Sequence, residues 1–279
     1  MRVPSVGVVV STFNNPEGLE SCLLGLRRQS RAAARVVVAD DGSGPANRRV
    51  VERHADHLPI EHVWQPDEGF RLAAVRNRAT ARCTEDYLVF LDGDTIPHRR
   101  FLADHTAAAV RGRVVLGQRC GLLGYRGALV SRQPSFVKLL ALFARGRVIN
   151  DSMALGTSLR HRFTGLRKGI RLPRPVCRPC SIREAHGGNL AVWREDFLAV
   201  NGFDEQFVGW GLEDHDFADR LVRLGRTPYR LLFQGVCFHL DTATAREPRP
   251  PRRELDRARA TYCAQGVDQY RLQRGEGVR

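Results

Sequence analysis

The first 110 residues alternate between apolar runs and segments with helical spacing. Residues 6–10 and 36–39 are Val-rich runs and residues 87–91 form a third apolar run, which is typical of strands buried on both faces of a parallel sheet. The intervening patterns predict helices over three segments, 16–29, 45–54 and 69–83. This alternation predicts βαβ units and an α/β fold with an open, mostly parallel sheet flanked by helices.

Each predicted strand ends in polar residues. Residues 11–14 follow the first strand, 40–43 the second and 92–94 the third. Ligands of open α/β sheets bind beyond the carboxyl ends of the strands. We therefore expect these three segments to converge on one crevice.

Three side chains have the chemistry of metal ligands. Asp92 and Asp94, with a glycine between them, suit a hard divalent cation that bridges phosphate oxygens, although Asp-Gly is also common in ordinary turns. His239 follows an apolar run. It either completes a shell for Mn²⁺ or a related cation, or it is a hydrogen-bonded core histidine.

Acidic residues open a predicted helix that ends at Gly225, and they are Glu213, Asp214 and Asp216. The helix dipole alone favours acidic side chains in a first turn. The preceding Gly-Trp-Gly at 209–211, however, would hold an aromatic face against a ligand. A carboxylate at a helix start is expected to keep a low pKa and to stay ionised, as a general base requires.

Three arginines, Arg71, Arg76 and Arg78, lie on the predicted helix before the Asp92 strand. A guanidinium group pairs with phosphate through a rigid fork, whereas exposed helical arginines are usually only solvated. Arg76 and Arg71 are the candidates for a phosphate contact.

The regular pattern weakens after about residue 110. Residues 121–185 are rich in Arg, Gly and Pro, which predicts an insertion of loops and short helices over the sheet. Strand and helix patterns return from residue 187, and a Pro- and Arg-rich tail from about residue 247 is predicted to include one charged helix.

Charge and cysteine content add constraints on partners and compartment. The formal net charge of +14 indicates an anionic partner, which could be nucleic acid, a membrane surface or a phosphate-bearing substrate. Seven irregularly spaced cysteines predict free thiols in a reducing compartment. With no apolar run of membrane-spanning length and no signal-peptide pattern, the sequence predicts a cytoplasmic protein.

Taken together, these residues resemble the family 2 glycosyltransferases of the GT-A fold over about residues 5–105 and 185–242. The second part resembles the C-terminal domain shared by β-1,4-galactosyltransferases and chondroitin-polymerase-type enzymes. The matching motifs are Val-Val-Val-Ser-Thr-Phe-Asn (8–14), Val-Ala-Asp-Asp-Gly-Ser (38–43), Gly-Phe-Arg-Leu-Ala-Ala-Val-Arg-Asn (69–77), Phe-Leu-Asp-Gly-Asp (90–94), Gly-Gly-Asn (187–189), Asn-Gly-Phe-Asp (201–204) and Gly-Trp-Gly-Leu-Glu-Asp-His-Asp (209–216).

The resemblance implies an inverting, metal-dependent glycosyltransferase that moves a sugar from a nucleotide-sugar, a UDP-sugar, to a hydroxyl of a glycan or lipid-linked acceptor in cell-surface polysaccharide or lipopolysaccharide synthesis. Residues 1–110 would form the nucleotide-sugar-binding half and 111–245 the acceptor-binding and catalytic half, with the basic insertion 121–185. Residues 246–279 would form a basic, helical C-terminal tail. The expected location is cytoplasmic or peripheral on the anionic inner membrane face.

The resemblance also implies roles for individual residues. Asp214 would be the catalytic base, Glu213 would contact donor sugar or acceptor, and Asp94, Asp92 and His239 would hold Mn²⁺ or Mg²⁺. The donor site would comprise Ser11, Phe13, Asp41, Arg71, Arg76, Asp92, Gly188 and Trp210. Related galactosyltransferases have a methionine shortly before the metal histidine, and this chain departs from them with Val236-Cys237-Phe238.

Three alternatives make different predictions. A nucleic-acid-binding protein would interleave basic and aromatic residues, but aromatics are only 8% and acidic strand ends repel phosphate unless a metal intervenes. A sugar nucleotidyltransferase would need a Gly-rich phosphate loop, which is absent after Val10. A catalytically inactive binding module would not need Asp92, Asp94, Asp214 and His239 together. We therefore expect a nucleotide-sugar partner and no nucleic acid.

Overall fold

The computed structural model describes residues 2–122, 148–150, 176–181, 187–209, 211–240 and 260–272. Most of the predicted basic insertion 121–185 lies outside the described residues. Trp210 and the part of the predicted tail before residue 260 lie outside them as well.

The described strands form two sheets. The larger has the order β3-β2-β1-β4-β10-β6-β11-β9 and the smaller the order β5-β12-β7-β8. Their bounds are β1 Val6–Thr12, β2 Arg35–Asp40, β3 Ile60–Trp64, β4 Tyr87–Asp92, β5 Thr95–Pro97, β6 Arg113–Leu116, β7 Gln118–Leu122, β8 Val148–Asn150, β9 Cys177–Pro179, β10 Asn189–Trp193, β11 Thr227–Leu231 and β12 Val236–Leu240.

Parallel pairing dominates the first half of the larger sheet. β3, β2, β1 and β4 are parallel neighbours, whereas β10 runs antiparallel to both β4 and β6. The predicted α/β fold with a mostly parallel sheet is confirmed. The helices are α1 Pro16–Arg27, α2 Pro45–His54, α3 Leu72–Thr80, α4 Phe101–Ala107, α5 Arg194–Ala199, α6 Glu213–Arg223 and α7 Asp268–Leu272.

The Val-rich run of β1 is explained by helices on both faces of the sheet. Val8 packs into one core cluster with Leu19 and Leu23 of α1, and its neighbour Val9 packs into the opposite cluster with Val75 of α3. Because successive side chains of a strand point to opposite faces, a strand covered on both faces is apolar at every position.

The helix boundaries follow local capping and turn chemistry. The Asn15 side chain accepts a hydrogen bond of 2.9 Å from the Gly18 amide, and Pro16 begins α1. α2 has the predicted bounds. α3 is shorter than the predicted 69–83, because Gly69 adopts a left-handed conformation with φ of 85° before the helix begins.

Residues 260–272, within the predicted tail, pack against the loop 201–205. Asn201 is their main partner: its carbonyl accepts from the Val267 amide (3.0 Å), its side-chain oxygen accepts from the Asp268 amide (2.9 Å), and its side-chain nitrogen donates to the Cys263 carbonyl (2.8 Å). Val267 and Cys263 are buried. This segment is therefore part of the folded core.

None of the helices in the described residues combines the length and the apolar composition needed to cross a membrane.

Candidate active site

The ends of β1, β2 and β4 meet because these strands are neighbours in register. Ser11 pairs with both Ala39 and Asp92, and its carbonyl accepts a 2.8 Å hydrogen bond from the Gly93 amide. On the other side, the Asn14 amide donates to the Ser43 hydroxyl at 2.8 Å. The three polar segments therefore share one edge of the sheet, as the pattern of strand ends predicts.

Asp41 lies buried at the β2 side of this edge. One of its oxygens accepts from the Gln65 side-chain amide at 2.5 Å and the other from the Arg71 backbone amide at 2.8 Å. Burial raises the pKa of Asp41, and the hydrogen bonds from Arg71 and Gln65 oppose that rise. Phe13 is 45% exposed at the end of β1. Gln65 has no sequence signal, since it is a single amide after a strand that the sequence does not reveal.

The Arg71 side chain is directed to its own loop. Its guanidinium group pairs with Glu68 at 2.7 Å and donates to the Pro66 carbonyl at 2.9 Å. Arg71 is predicted to bind the nucleotide-sugar, but the group through which it contacts Asp41 is its backbone amide.

Arg76 is buried at this edge of the sheet and joins three elements. Its side chain is 2% exposed and donates to the Ser11 hydroxyl at 3.0 Å, to Asp92 at 3.2 Å and to Glu213 at 3.2 Å. The Phe203 ring lies 5.4 Å from its guanidinium carbon. All three guanidinium nitrogens thus contact protein groups, and Arg76 links the start of α6 to the ends of β1 and β4.

Asp92 is held between two guanidinium groups. Arg76 binds one oxygen, and Arg119 of β7 binds the other at 2.6 Å. Burial would raise the pKa of Asp92, but Arg119 and Arg76 outweigh it, and the pKa lies below its ordinary value. Gly188 lies against this pair, since a Cβ there would be 2.0 Å from an Asp92 oxygen. The sequence does not single out Arg119, because it stands at the start of an irregular segment.

Asp94 and His239 form the second predicted metal group. The antiparallel pairing of β12 with β5 sets His239 opposite Thr95, and the His239 Nε2 atom lies 3.0 Å from the Asp94 Oδ2 atom. The Asp94 Oδ1 atom is buried and has no hydrogen-bond partner among the residues that the structure describes. A carboxylate oxygen without a partner beside an imidazole suits a divalent cation.

Asp92 fits that metal group less well than the resemblance implies. Both of its oxygens bind guanidinium groups, which repel a cation. In the described part of the chain, no group of three or more His, Cys, Asp or Glu side chains is arranged to hold a metal ion. A cation held by Asp94 and His239 would therefore need further ligands from a bound substrate.

The start of α6 carries the two predicted catalytic carboxylates. Leu212 precedes the helix with φ of 83°, and Glu213 is 5% exposed. Within the described part of the chain, its Oε2 atom has no hydrogen-bond partner. Burial, and then the neighbouring Asp214 charge, raise the pKa of Glu213 to about 7. The expectation of a low pKa at this helix start is therefore wrong for Glu213, because burial outweighs the helix dipole there.

Asp214 has a different environment. One of its oxygens accepts from the Gly187 amide at 3.0 Å, and the other accepts from the His215 amide at 2.8 Å. These backbone donors orient the Asp214 carboxylate. Because Gly188 touches Asp92, the Gly187–Gly188 turn places Asp214 next to the β4 end.

Comparison with known proteins places this arrangement in a family. Residues 7–133 match the family model described as glycosyl transferase family 2, and residues 174–241 match the one described as N-terminal domain of galactosyltransferase. The chain contains a family 2 glycosyltransferase domain. It is similar to validoxylamine A glucosyltransferase of Streptomyces hygroscopicus subsp. jinggangensis, with 32% identity over 233 residues, covering 79% of this chain and 52% of the relative.

One further relative and one solved structure are also similar to this chain. The Escherichia coli chondroitin synthase is 25% identical over 263 residues, covering 92% of this chain and 37% of that protein. The structure of S. aureus TarS 1-349 in complex with UDP aligns with a TM-score of 0.56 at 18% identity, covering 85% of this chain and 60% of that chain. The family 2 chain therefore has the GT-A fold, and it spans about half or less of the length of these curated relatives.

Proposed function

We propose that this chain transfers a sugar from a UDP-sugar to a hydroxyl of a glycan acceptor, with inversion at the anomeric carbon, in the synthesis of a cell-surface polysaccharide or lipopolysaccharide. The observation that carries the proposal is the Gly187–Gly188 turn. It brings the Asp214 carboxylate next to the strand end that bears Asp92 and Asp94. In this proposal, Asp214 is the proton acceptor and the strand end beside it binds the diphosphate of the donor.

A UDP-sugar donor is supported from two sides. Asp41 presents a buried carboxylate, which accepts the N–H of a uracil ring but repels the ring-nitrogen acceptor of cytosine. The exposed Phe13 ring at the end of β1 offers a stacking surface for a base. Among proteins of the same fold, TarS structures are complexes with UDP and with UDP-GlcNAc.

In the proposed reaction, Asp214 takes the proton of the acceptor hydroxyl while the hydroxyl oxygen attacks the anomeric carbon from the face opposite the diphosphate. One displacement on that face inverts the configuration. The two backbone donors to Asp214 fix its carboxylate for this step. Asp94 and His239 would hold Mn²⁺ or Mg²⁺, and that ion would neutralise charge on the departing diphosphate.

The test is release of UDP from a panel of UDP-sugars by the purified chain with oligosaccharide acceptors. We expect activity with Mn²⁺ or Mg²⁺, loss of activity in EDTA, and recovery when the metal is restored.

Asp214→Asn should lower turnover by about 10²- to 10⁴-fold while UDP still binds, because a general base is lost. Asp219→Asn on the same helix, which breaks only a partly exposed pair with Arg223, is the matched control.

Near-normal transfer by Asp214→Asn would remove Asp214 from the mechanism. Full activity in EDTA would contradict the proposed metal, and release of UDP from no sugar donor would contradict the donor class.

A further inference from the structure

The two arginines that hold Asp92 differ in their access to the crevice. The side chain of Arg76 is 2% exposed, whereas the side chains of Arg119 and Asp92 are 21% and 24% exposed. Arg76 is therefore buried, and besides Asp92 it forms an ion pair with Glu213. Of the two guanidinium groups, that of Arg119 is therefore the more accessible to a ligand at the strand ends.

Strand register sets Arg119 on the same side as the proposed metal group. In the parallel pairing of β7 with β12, Arg119 lies opposite Cys237 and Gly121 lies opposite His239. Residues two apart on a strand share a face, so Arg119 and His239 project from the same face of the smaller sheet. Gly121, between them on β7, has no side chain to fill the intervening space.

The negative charge of the nearby carboxylates means that a diphosphate needs a basic side chain to bind it here. Asp92, Asp94 and Asp214 lie near the end of β4, and carboxylates repel an approaching phosphate group. A guanidinium group next to them offsets part of this charge and offers a planar fork that matches phosphate oxygens. Asp92 holds that fork in place before any ligand arrives.

We propose that Arg119 binds the diphosphate of the nucleotide donor, on the same face of the smaller sheet as His239. Asp92 is then a positioning residue, which holds Arg119 on one oxygen while the buried Arg76 holds Asp92 on the other. This role rests on the proposed UDP-sugar donor and adds a residue that neither the sequence motifs nor the resemblance points to.

The experiment compares the affinities of wild type and Arg119→Gln for uridine, UMP and UDP by isothermal titration calorimetry in EDTA. Removing metal isolates the contribution of the side chain. Charge-assisted hydrogen bonds predict that Arg119→Gln weakens UDP binding by about tenfold to a hundredfold and changes uridine binding by less than about twofold. Arg119→Lys, which keeps the charge and loses the fork, should fall between the two proteins for UDP.

The matched control is Arg113→Gln on β6. The Arg113 guanidinium stacks on the Tyr229 ring at 4.1 Å and reaches Cys177, away from Asp92. The Arg113→Gln variant should bind uridine, UMP and UDP with the affinities of wild type. Thermal melting of each variant tests whether it folds.

The outcomes separate the two proposals. Unchanged UDP affinity in Arg119→Gln, or equal losses for uridine and UDP, would overturn the role of Arg119 while wild-type binding of UDP leaves the donor class intact. Wild-type protein that binds no uridine ligand, with or without Mg²⁺, would overturn the proposed function and the Arg119 role together.

Discussion

Glu213 shows how the surroundings of one residue override a general rule for helix starts. Its carboxyl group pairs with Arg76, and Arg76 is shared with Asp92. The adjacent Asp214 keeps its own backbone donors. The two neighbouring carboxylates therefore differ in their surroundings: backbone amides hold Asp214 in place, whereas burial raises the pKa of Glu213 to about 7.

Glu213→Gln should make the free energy of unfolding less dependent on pH. The folded-state pKa is raised from 4.5 to about 7, so between these values the folded protein keeps a proton that the unfolded chain has released. Stability from the protonated carboxyl is full below pH 4.5 and falls as the pH rises towards 7, by on the order of 1–3 kcal/mol. The glutamine variant lacks this decline.

Urea unfolding of both proteins at about pH 5 and about pH 8 measures the effect. The variant should gain stability relative to wild type at the higher pH. Equal differences between the two proteins at both pH values would contradict a raised pKa at Glu213.

At the scale of elements, the sequence reveals what is buried on both faces and misses what is not. The strands at 6–10, 36–39 and 87–91 have continuous apolar runs because helices cover both sides of the sheet. β3 at Ile60–Trp64 is an edge strand with partly exposed residues, so polar His62 and Glu61 interrupt any run. The ends of the three buried strands could also be predicted, because each continuous apolar run stops there.

The candidate site residues that could be predicted from the sequence are those at strand ends and helix starts. Asp92, Asp94 and Asp214 stand at such ends, and their neighbourhood follows from sheet order. Arg119 and Gln65 could not be found in this way. Their contacts with Asp92 and Asp41 join segments 27 and 24 residues apart, and only the folded sheet brings those segments together.

Gly266→Ala should destabilise the docking of residues 260–272. A Cβ at Gly266 would lie 1.9 Å from the Asn201 carbonyl oxygen, so the segment must shift, at roughly 1–3 kcal/mol. Thermal melting and limited proteolysis near residue 260 measure the change. Gly44→Ala is the control, because nothing lies within 4 Å of its Cβ and its φ of −70° suits alanine. Identical melting of both variants would show that the docking tolerates added bulk.

At the scale of the whole molecule, the net charge of +14 is unevenly distributed along the chain. In residues 126–183, Asp151 is the only acidic residue among many Arg and Lys. Most of this segment lies outside the described residues. We propose that it docks the enzyme on the anionic inner leaflet or on a phosphorylated or lipid-linked acceptor, since each basic residue near such a surface contributes about 1 kcal/mol.

Co-sedimentation with anionic and neutral vesicles at low and high salt tests this association. Wild type should bind anionic vesicles at low salt, and binding should weaken at high salt because exposed charges are screened. Replacing Arg160, Arg162, Arg167 and Lys168 by Ser should reduce it. Binding that ignores salt, or that is equal in the two proteins, would leave the segment without a membrane role.

The docking of residues 260–272 on the loop 201–205 also sets an order of events during synthesis. Asn201 leaves the ribosome before Cys263, Val267 and Asp268, its partners in the folded protein, have been made. At about 5–20 residues per second, this delay is on the order of seconds. During that interval the nascent loop, whose Phe203 backbone also bonds to the Asn77 side chain, lacks its later partners. The packing around Asn201 is therefore completed only after all the described strands have been translated.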